Sequence, residues 1–395
     1  MKKNIRERHA QSRTQAAVEF LKRFGFVLFV AIMFVMLTVA VAFSQKREST
    51  VDKKTEAQTK ISLGDSYMKQ GNGGLAVSNY EAAAVLTPQD PLPHYKIGVV
   101  YLRSTNKDAA MEAFQKAVAV DPSYAPAYKE LAGLYYTMKN GPEAVKMQEK
   151  YMQLEGSPDS ELVRLGYYVF MTRDFAKANE VFLRAYEKGL LKDNGLRYYA
   201  LSLFESGDYA GSQKVFEEYF SKAKPDEVEA SDYTSYGKAL LNLKQDSLAV
   251  IALQKALIID NKLTSVKKIL WETLYSLGKS YYSKQQFALA DSAFENLIDL
   301  HPGVINGYLW SGRAKAQLDP ETEQGLAKSS YEKVIEIGQA TPDKSKAELK
   351  EAYSYMGYYY FLKNDAGQSR ANWEKVLALD PQDAKAREAL KAIRR

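Results

Sequence analysis

The chain of 395 residues contains no cysteine and only three histidines. The lack of cysteine excludes disulfides, thiolate metal sites and cysteine nucleophiles. His9, His94 and His301 do not have the spacing of a metal-binding motif, and the chain has no Gly-x-Ser-x-Gly elbow. The glycine-rich stretch 71–74 is not followed by the Gly-Lys-Ser/Thr of a phosphate loop. We therefore predict a protein that is not an enzyme, with no metal, no cofactor and no small-molecule substrate.

A large excess of either charge is also lacking outside the amino-terminal segment. The formal net charge of the whole chain is +6. Residues 1–43 hold seven basic and two acidic side chains, a net charge of +5, which leaves +1 for the rest of the chain. A domain that binds nucleic acid is normally rich in basic residues, because it must neutralise phosphates. We therefore predict no nucleic-acid binding.

A long apolar run covers residues 24–43, FGFVLFVAIMFVMLTVAVAF, with no charge and with Thr38 as its single polar side chain. Twenty residues of α-helix span about 30 Å, the thickness of the hydrocarbon core of a bilayer. We expect one transmembrane helix at 24–43, preceded by a basic cytoplasmic tail at 1–23. The segment 44–56 is polar, and we expect either a short linker or a helical extension that lifts the following domain off the membrane.

A cleaved signal peptide is the alternative to an uncleaved anchor. Ala40-Val41-Ala42 resembles a cleavage site, but 23 residues precede the apolar run and the run is long. We favour the anchor. Lys and Arg number seven before the span and five soon after it, which favours a cytoplasmic amino terminus. We expect a single-pass protein of a bacterial inner membrane, with the folded domain in the periplasm.

The stretch 91–124, PLPHYKIGVVYLRSTNKDAAMEAFQKAVAVDPSY, has the pattern of two short helices. Small residues at Gly98 and Ala110 let two antiparallel helices approach closely, and Pro122 cannot extend the second helix. Together with Tyr101 and Phe114, these residues have the offsets of a tetratricopeptide repeat. The stretch therefore resembles the tetratricopeptide-repeat (TPR) family. The resemblance implies an all-α solenoid in which neighbouring helix-turn-helix repeats cover each other's apolar faces.

Similar repeats follow one another over residues 57–382. We predict a final capping helix at 383–395 and about nine TPR-like repeats, which begin near residues 57, 91, 125, 159, 193, 230, 271, 305 and 350. Gln148 replaces the expected Phe of its repeat, so we expect looser packing there. Seven extra residues precede residue 271, and we expect the second helix before them to run longer. Asp319-Pro320-Glu321 is expected to lengthen the inner turn of the repeat at 305.

In the TPR family the first helix of each repeat lines the concave face. By this resemblance the partner-binding groove is aromatic with scattered basic residues: Tyr95, Val99, Leu102, Tyr136, Tyr167, Phe170, Arg197, Phe204, Tyr275, Lys279, Tyr282, Tyr358 and Phe361. Aromatic side chains supply a large contact area at low entropic cost, which suits a peptide partner. The alternative is that these side chains only pack against neighbouring helices.

The resemblance implies a membrane-anchored TPR scaffold or adaptor, which binds peptide segments of other proteins or membrane complexes at the cell envelope. The alternative is a chaperone-like factor that holds newly exported or assembling proteins near a membrane translocation machine. TPR co-chaperones that grip a terminal carboxylate have Lys at the fifth and Asn at the ninth position of a repeat. In this chain Lys129 is followed by Gly133 at the ninth position, so such a clamp is disfavoured.

Overall fold

The computed structural model describes the backbone of residues 2–393 and the side chains of residues 13–47 and 50–393. Within these residues the chain forms α-helices joined by short turns, and this part contains no strand. The predicted all-α class is confirmed. The chain divides into two compact parts, an amino-terminal lobe that ends at Thr172 and a carboxy-terminal lobe that begins at Arg173.

The amino-terminal lobe consists of antiparallel helix pairs that follow a long first helix. Its helices are α1 (Lys2–Lys69), α2 (Gly73–Leu86), α3 (Leu92–Arg103), α4 (Lys107–Val120), α5 (Ala125–Thr137), α6 (Gly141–Leu154) and α7 (Leu162–Met171). A single 3₁₀ turn, Asp159–Glu161, precedes α7.

Helix α1 is continuous through the apolar run, the polar segment 44–56 and the first helix of the first repeat. Of the two alternatives for the polar segment 44–56, the structure therefore has the helical extension. Every described side chain from residue 13 to residue 56 is exposed. Burial begins at Ala57 and Ile61, which pack in a cluster with Tyr80. By length and composition α1 is able to cross a membrane, although a signal sequence satisfies the same criteria.

The carboxy-terminal lobe continues the pattern of helix pairs. Its helices are α8 (Phe175–Glu187), α9 (Asp193–Ser206), α10 (Tyr209–Lys222), α11 (Ala230–Asn242), α12 (Asp246–Ile259), α13 (Thr264–Ser283), α14 (Phe287–Leu300), α15 (Ile305–Leu318), α16 (Lys328–Gly338), α17 (Lys346–Leu362), α18 (Ala366–Leu379) and α19 (Ala384–Ala392).

The second helix of many repeats begins in the same way. A residue with left-handed backbone ends the turn, as at Thr105 (φ 60°), and an Asn or Asp side chain then accepts the backbone N–H three residues later. For Asn106 this bond, from the N–H of Ala109, measures 3.2 Å. The same cap occurs at Asn72, Asn140, Asp174, Asp208 and Asp365. The cap satisfies a backbone donor that the helix itself leaves without a partner.

In several repeats the two helices pack closely because a glycine faces an aromatic ring. A Cβ atom added at Gly98 would lie 2.5 Å from Cε1 of the fully buried Phe114, and one added at Gly278 would lie 2.7 Å from the ring of Phe294. No side chain fits in this space. Each ring then forms the centre of the core between successive repeats.

Two irregular repeats differ from the regular ones, one in the length of its first helix and the other in the length of its inner turn. We expected the extra residues before residue 271 to lengthen the preceding second helix. This prediction is wrong, because α12 ends at Ile259. The extra residues lengthen the next first helix instead, so that α13 has 20 residues. In the repeat at 305, α15 ends at Leu318 and α16 begins only at Lys328. The buried carboxylate of Asp319 holds the long inner turn, since it accepts the N–H of Gly325 at 2.7 Å.

Candidate partner-binding surface

The predicted groove residues of α3 are half-buried between successive repeats. The ring of Tyr95 lies 5.6 Å from that of Phe114 and 5.5 Å from that of Tyr124. Val99 and Leu102 pack against the same cluster. Burial raises the pKa of the Tyr95 hydroxyl. These three side chains therefore stabilise the contact between repeats and expose only part of their surface to a partner.

The predicted residues of α5 and α7 have a similar environment. The ring of Tyr136 lies 4.9 Å from that of Tyr168, and burial raises the pKa of the Tyr168 hydroxyl to about 12. Tyr167 and Phe170 are half-buried on α7. In the carboxy-terminal lobe Phe204 is also half-buried, with its ring 5.9 Å from that of Tyr209 at the inner turn.

Arg197 is bound within the chain. Its Nε donates to Oδ1 of the fully buried Asp232 at 2.7 Å, and its Nη2 lies 2.5 Å from Oε2 of Glu229. Only 14% of the Arg197 side chain is exposed. Burial raises the pKa of Asp232, and the hydrogen bond from Arg197 opposes that rise. A partner could reach this guanidinium only by displacing two carboxylates.

Basic residues of other first helices form ion pairs of the same kind. Arg313 forms two hydrogen bonds to Glu351, at 2.8 Å and 2.6 Å. The remaining pairs are Lys96 with Asp65, Lys129 with Glu161, and Lys350 with Asp380 and Asp383. Each pair joins residues that lie about one repeat apart in sequence. Apart from the bond of Lys350 to Asp380, which lies within the last repeat, these ion pairs connect a repeat to the next repeat or to the capping helix. Sequence reasoning missed them.

Gln148 belongs to one of these connections. It is fully buried, and its Nε2 donates to Oε2 of Glu161 at 3.1 Å, while Lys129 donates to Oε1 at 2.8 Å. Gln148 Oε1 has no hydrogen-bond partner among the described residues. A polar network therefore fills the place of the expected Phe ring, instead of the looser contact that we expected.

Helix α13 presents a cluster of aromatic rings beside the amino group of Lys279, and the Arg313 guanidinium of α15 lies 4.5 Å from the Trp310 ring centroid. Tyr275 stacks on Trp271 at 5.2 Å, and its hydroxyl accepts the Nε1–H of Trp310 at 3.2 Å. The ring of Tyr282 lies 5.4 Å from that of Trp310. The Lys279 amino group lies within 5.5 Å of the Tyr275 and Trp310 ring centroids. Trp310 was absent from the predicted groove, although a tryptophan in a first helix was visible in the sequence.

Helix α17 carries the most exposed of the predicted aromatic residues. Tyr358 is 43% exposed and Phe361 is 46% exposed, and the neighbouring Leu362 is exposed as well. Both predicted residues lie near the end of α17. The long turn 319–327 packs against the same end of the helix, where Gly325 faces the ring of Tyr359. That turn is attached to the helix, since Lys363 Nζ donates to the carbonyl of Glu323 at 2.8 Å. Among the predicted groove aromatics, those on α17 are therefore exposed and the others are half-buried.

The helix pairs match known sequence families. A model described as "TPR repeat" matches residues 64–104, and two described as "Tetratricopeptide repeat" match residues 93–124 and 272–303. The carboxy-terminal part of a TPR repeat-containing protein from Cytophaga hutchinsonii is 32% identical, over 58% of this chain and 99% of that one, with a TM-score of 0.30. The chain is a tetratricopeptide-repeat protein. Its predicted fold, an all-α solenoid of TPR-like repeats, is confirmed.

Two further proteins illustrate the breadth of similarity to this TPR protein. Anaphase-promoting complex subunit 6 of Arabidopsis thaliana is 37% identical over 91 residues, which is 23% of this chain and 17% of that protein. YrrB, described as a TPR protein with an unusual peptide-binding site, is 18% identical, over 47% of this chain and 95% of that one, with a TM-score of 0.42. The chain spans between 17% and 35% of the length of the curated relatives it matches.

Proposed function

We propose that this TPR protein is a membrane-tethered scaffold, which gathers defined partner proteins at the cell envelope and catalyses no reaction itself. TPR proteins mediate protein–protein interactions, and their repeats are generally non-catalytic scaffolds. The observation that carries the proposal is the exposed aromatic pair Tyr358 and Phe361 on α17. Exposed aromatic side chains on a rigid helix are typical of the residues that dominate binding energy at interfaces.

The tether is part of the proposal and is supported by helix α1. Its apolar run at 24–43 is exposed on all sides, a surface that suits lipid better than water. Because α1 continues without a break into the first repeat, the repeats would be held at a fixed distance from the membrane. Tethering raises the local concentration of the repeats near membrane complexes, so that modest contacts suffice for binding. We place the repeats in the periplasm of a bacterial inner membrane.

Partner capture in cells tests the scaffold directly. Proteins crosslinked to the wild type would be identified by mass spectrometry and compared with those crosslinked to the double variant Tyr358→Ser/Phe361→Ser. We expect a few defined partners, most of which the variant loses, while its thermal unfolding stays near that of the wild type because both side chains are exposed. The control is Val85→Ser/Ile258→Ser, which removes two apolar side chains exposed on second helices and should keep the partners.

Two outcomes would contradict the proposal. If the variant with changes at Tyr358 and Phe361 captures the same partners as the wild type, α17 is not the binding surface. If the wild type captures a broad range of exported proteins, the chain is a chaperone-like holder and not a selective scaffold.

A further inference from the structure

The lengthened helix α13 forms one wall of a pocket. Helix α13 has 20 residues, whereas the first helices α9 and α15 have 14 each. Six additional residues of α-helix correspond to about 9 Å. The additional turns lie at the amino end of α13, beside the turn that connects α14 to α15. Between them is a pocket of about 390 Å³, lined by Thr264, Lys267, Lys268, Trp271, His301 and Val304.

The walls of this pocket are apolar and held in place. The indole of Trp271 stacks on the ring of Tyr275 with an angle of 10° between the planes, and Tyr275 in turn accepts a hydrogen bond from Trp310. Val304 lies opposite Trp271 in the turn between α14 and α15. The volume is at the lower end of the range for ligand pockets, so it suits one or two side chains of a peptide.

The rim of the pocket carries positive charge that the chain itself does not neutralise. Among the residues that the structure describes, the amino groups of Lys267 and Lys268 have no ion-pair partner, and no carboxylate lines the pocket. The situation differs on three other first helices, where Arg197, Arg313 and Lys129 are each paired with an acid from a neighbouring repeat. The rim lysines are therefore cations that a partner can reach at little cost.

We infer that this pocket binds an acidic peptide segment of a partner protein. One aromatic or large aliphatic side chain of that segment enters against Trp271, and carboxylates beside it face Lys267 and Lys268. Charge complementarity selects the acidic segment, and the concave apolar wall favours an inserted side chain over a flat lipid surface. The inference rests on the proposed function for the existence of a partner, but it concerns a different surface from Tyr358 and Phe361.

Binding of a labelled peptide to the full chain in a non-ionic detergent tests this inference. The probe is a fluorescein-labelled peptide with one phenylalanine flanked on each side by two glutamates, followed by fluorescence anisotropy. We expect Lys267→Glu/Lys268→Glu to weaken its binding by roughly tenfold or more at low salt. The control Lys346→Glu/Lys385→Glu, which reverses two other exposed lysines of the same lobe, should keep wild-type affinity.

Changes to the probe separate the two parts of the pocket. A peptide with lysines in place of the glutamates should not bind, and one with alanine in place of phenylalanine should bind roughly tenfold more weakly. Equal binding of the glutamate peptide by the wild type and the Lys267/Lys268 variant would overturn the inference. The inference would also be overturned if the Lys267/Lys268 variant lost binding of soluble dihexanoyl phosphatidylserine but not of the peptide. If the peptide fails to bind while capture through Tyr358 and Phe361 persists, this inference fails and the proposed function stands.

Discussion

The contact between Gly98 and the ring of Phe114 decides how closely the two helices of a repeat approach. Phe114 is fully buried and also touches the next repeat. The ring therefore has no free space into which it can retreat if Gly98 gains a side chain. A single added methyl group should therefore disturb the side-chain packing on both sides of the ring.

We predict that Gly98→Ala destabilises the fold by about 1–3 kcal/mol, because the new Cβ overlaps the Phe114 ring. The matched control is Gly133→Ala in α5, where no atom lies within 4 Å of the added Cβ. This control should stabilise the fold by about 0.5–1 kcal/mol, since alanine favours a helix more than glycine does. Urea denaturation followed by circular dichroism measures both. Equal effects of the two changes would contradict the close contact.

Glu161 is the second residue on which the contact between repeats depends. It is buried and receives hydrogen bonds from Lys129 and Gln148. We predict that Glu161→Gln lowers the free energy of unfolding by about 1–3 kcal/mol, because the cation of Lys129 and the buried amide of Gln148 lose their charged acceptor. The control is Glu112→Gln in the exposed pair with Lys116, which should produce no measurable change. An equal loss in the two variants would show that the Glu161 network has no special role.

The ionisation of Glu161 should make the free energy of unfolding depend on pH. Burial would raise the pKa of Glu161, but Lys129, Arg164 and Gln148 together lower it below the ordinary value of 4.5. A lowered pKa stabilises the folded state above pH 4.5, and this contribution is lost as the pH falls through the folded-state pKa. The stability difference between wild type and Glu161→Gln should therefore be large near neutral pH and should shrink as the pH falls below 4.5 and through the folded-state pKa. A difference that does not change with pH would argue against the ion pair.

Only some contacts of the candidate surface could be predicted from the position of each residue within its repeat. The aromatic residues of the first helices follow the repeat spacing, so their placement near neighbouring repeats could be inferred. The ion pair of Arg197 with Asp232 could not, because the two residues are about one repeat apart and meet only when α9 and α11 pack together. The exposure of Tyr358 likewise depends on how the neighbouring elements pack against α17. Local spacing does not contain that information.

At the scale of helices, the 34-residue period predicted the helix pairs. It did not by itself identify the residues that end the turns and begin the second helices. Asn72, Asn106 and Asn140 recur at this period and cap the second helices. They were visible in the sequence and were overlooked, because the TPR pattern is usually described by its apolar residues. The prediction that the helix before residue 271 is lengthened was wrong, and α13 is the longer helix instead. Extra residues between two helices can extend either one.

Helix α1 is the element whose continuity matters most for the tether. If the helix is unbroken from Ser44 to Thr59, spin labels at these two exposed positions should lie about 22 Å apart along the axis, at 1.5 Å per residue. The chain has no native cysteine, so labels can be placed without further changes. Double electron–electron resonance in detergent should give one narrow distance distribution. A broad distribution would show a flexible linker between the span and the repeats.

At the scale of the whole molecule, the proposed topology puts the two ends of α1 on opposite sides of the membrane. A membrane-impermeant maleimide added to spheroplasts should label a cysteine at Asp343, an exposed turn position, and should label Ser12→Cys only after lysis. The reason is the excess of Lys and Arg before the apolar run. Labelling of both positions only after lysis would place the repeats in the cytoplasm.

Photo-crosslinking from the binding surface in intact membranes is the most direct measurement of protein capture by the tethered repeats. A photoreactive amino acid would replace Phe361 on α17 or, as the control, the exposed Glu374 on α18. We expect a few discrete adducts with membrane-associated proteins from position 361 and none of these adducts from position 374. The absence of adducts from position 361, or the same adducts from both positions, would contradict a scaffold that binds through the exposed aromatic residues of α17.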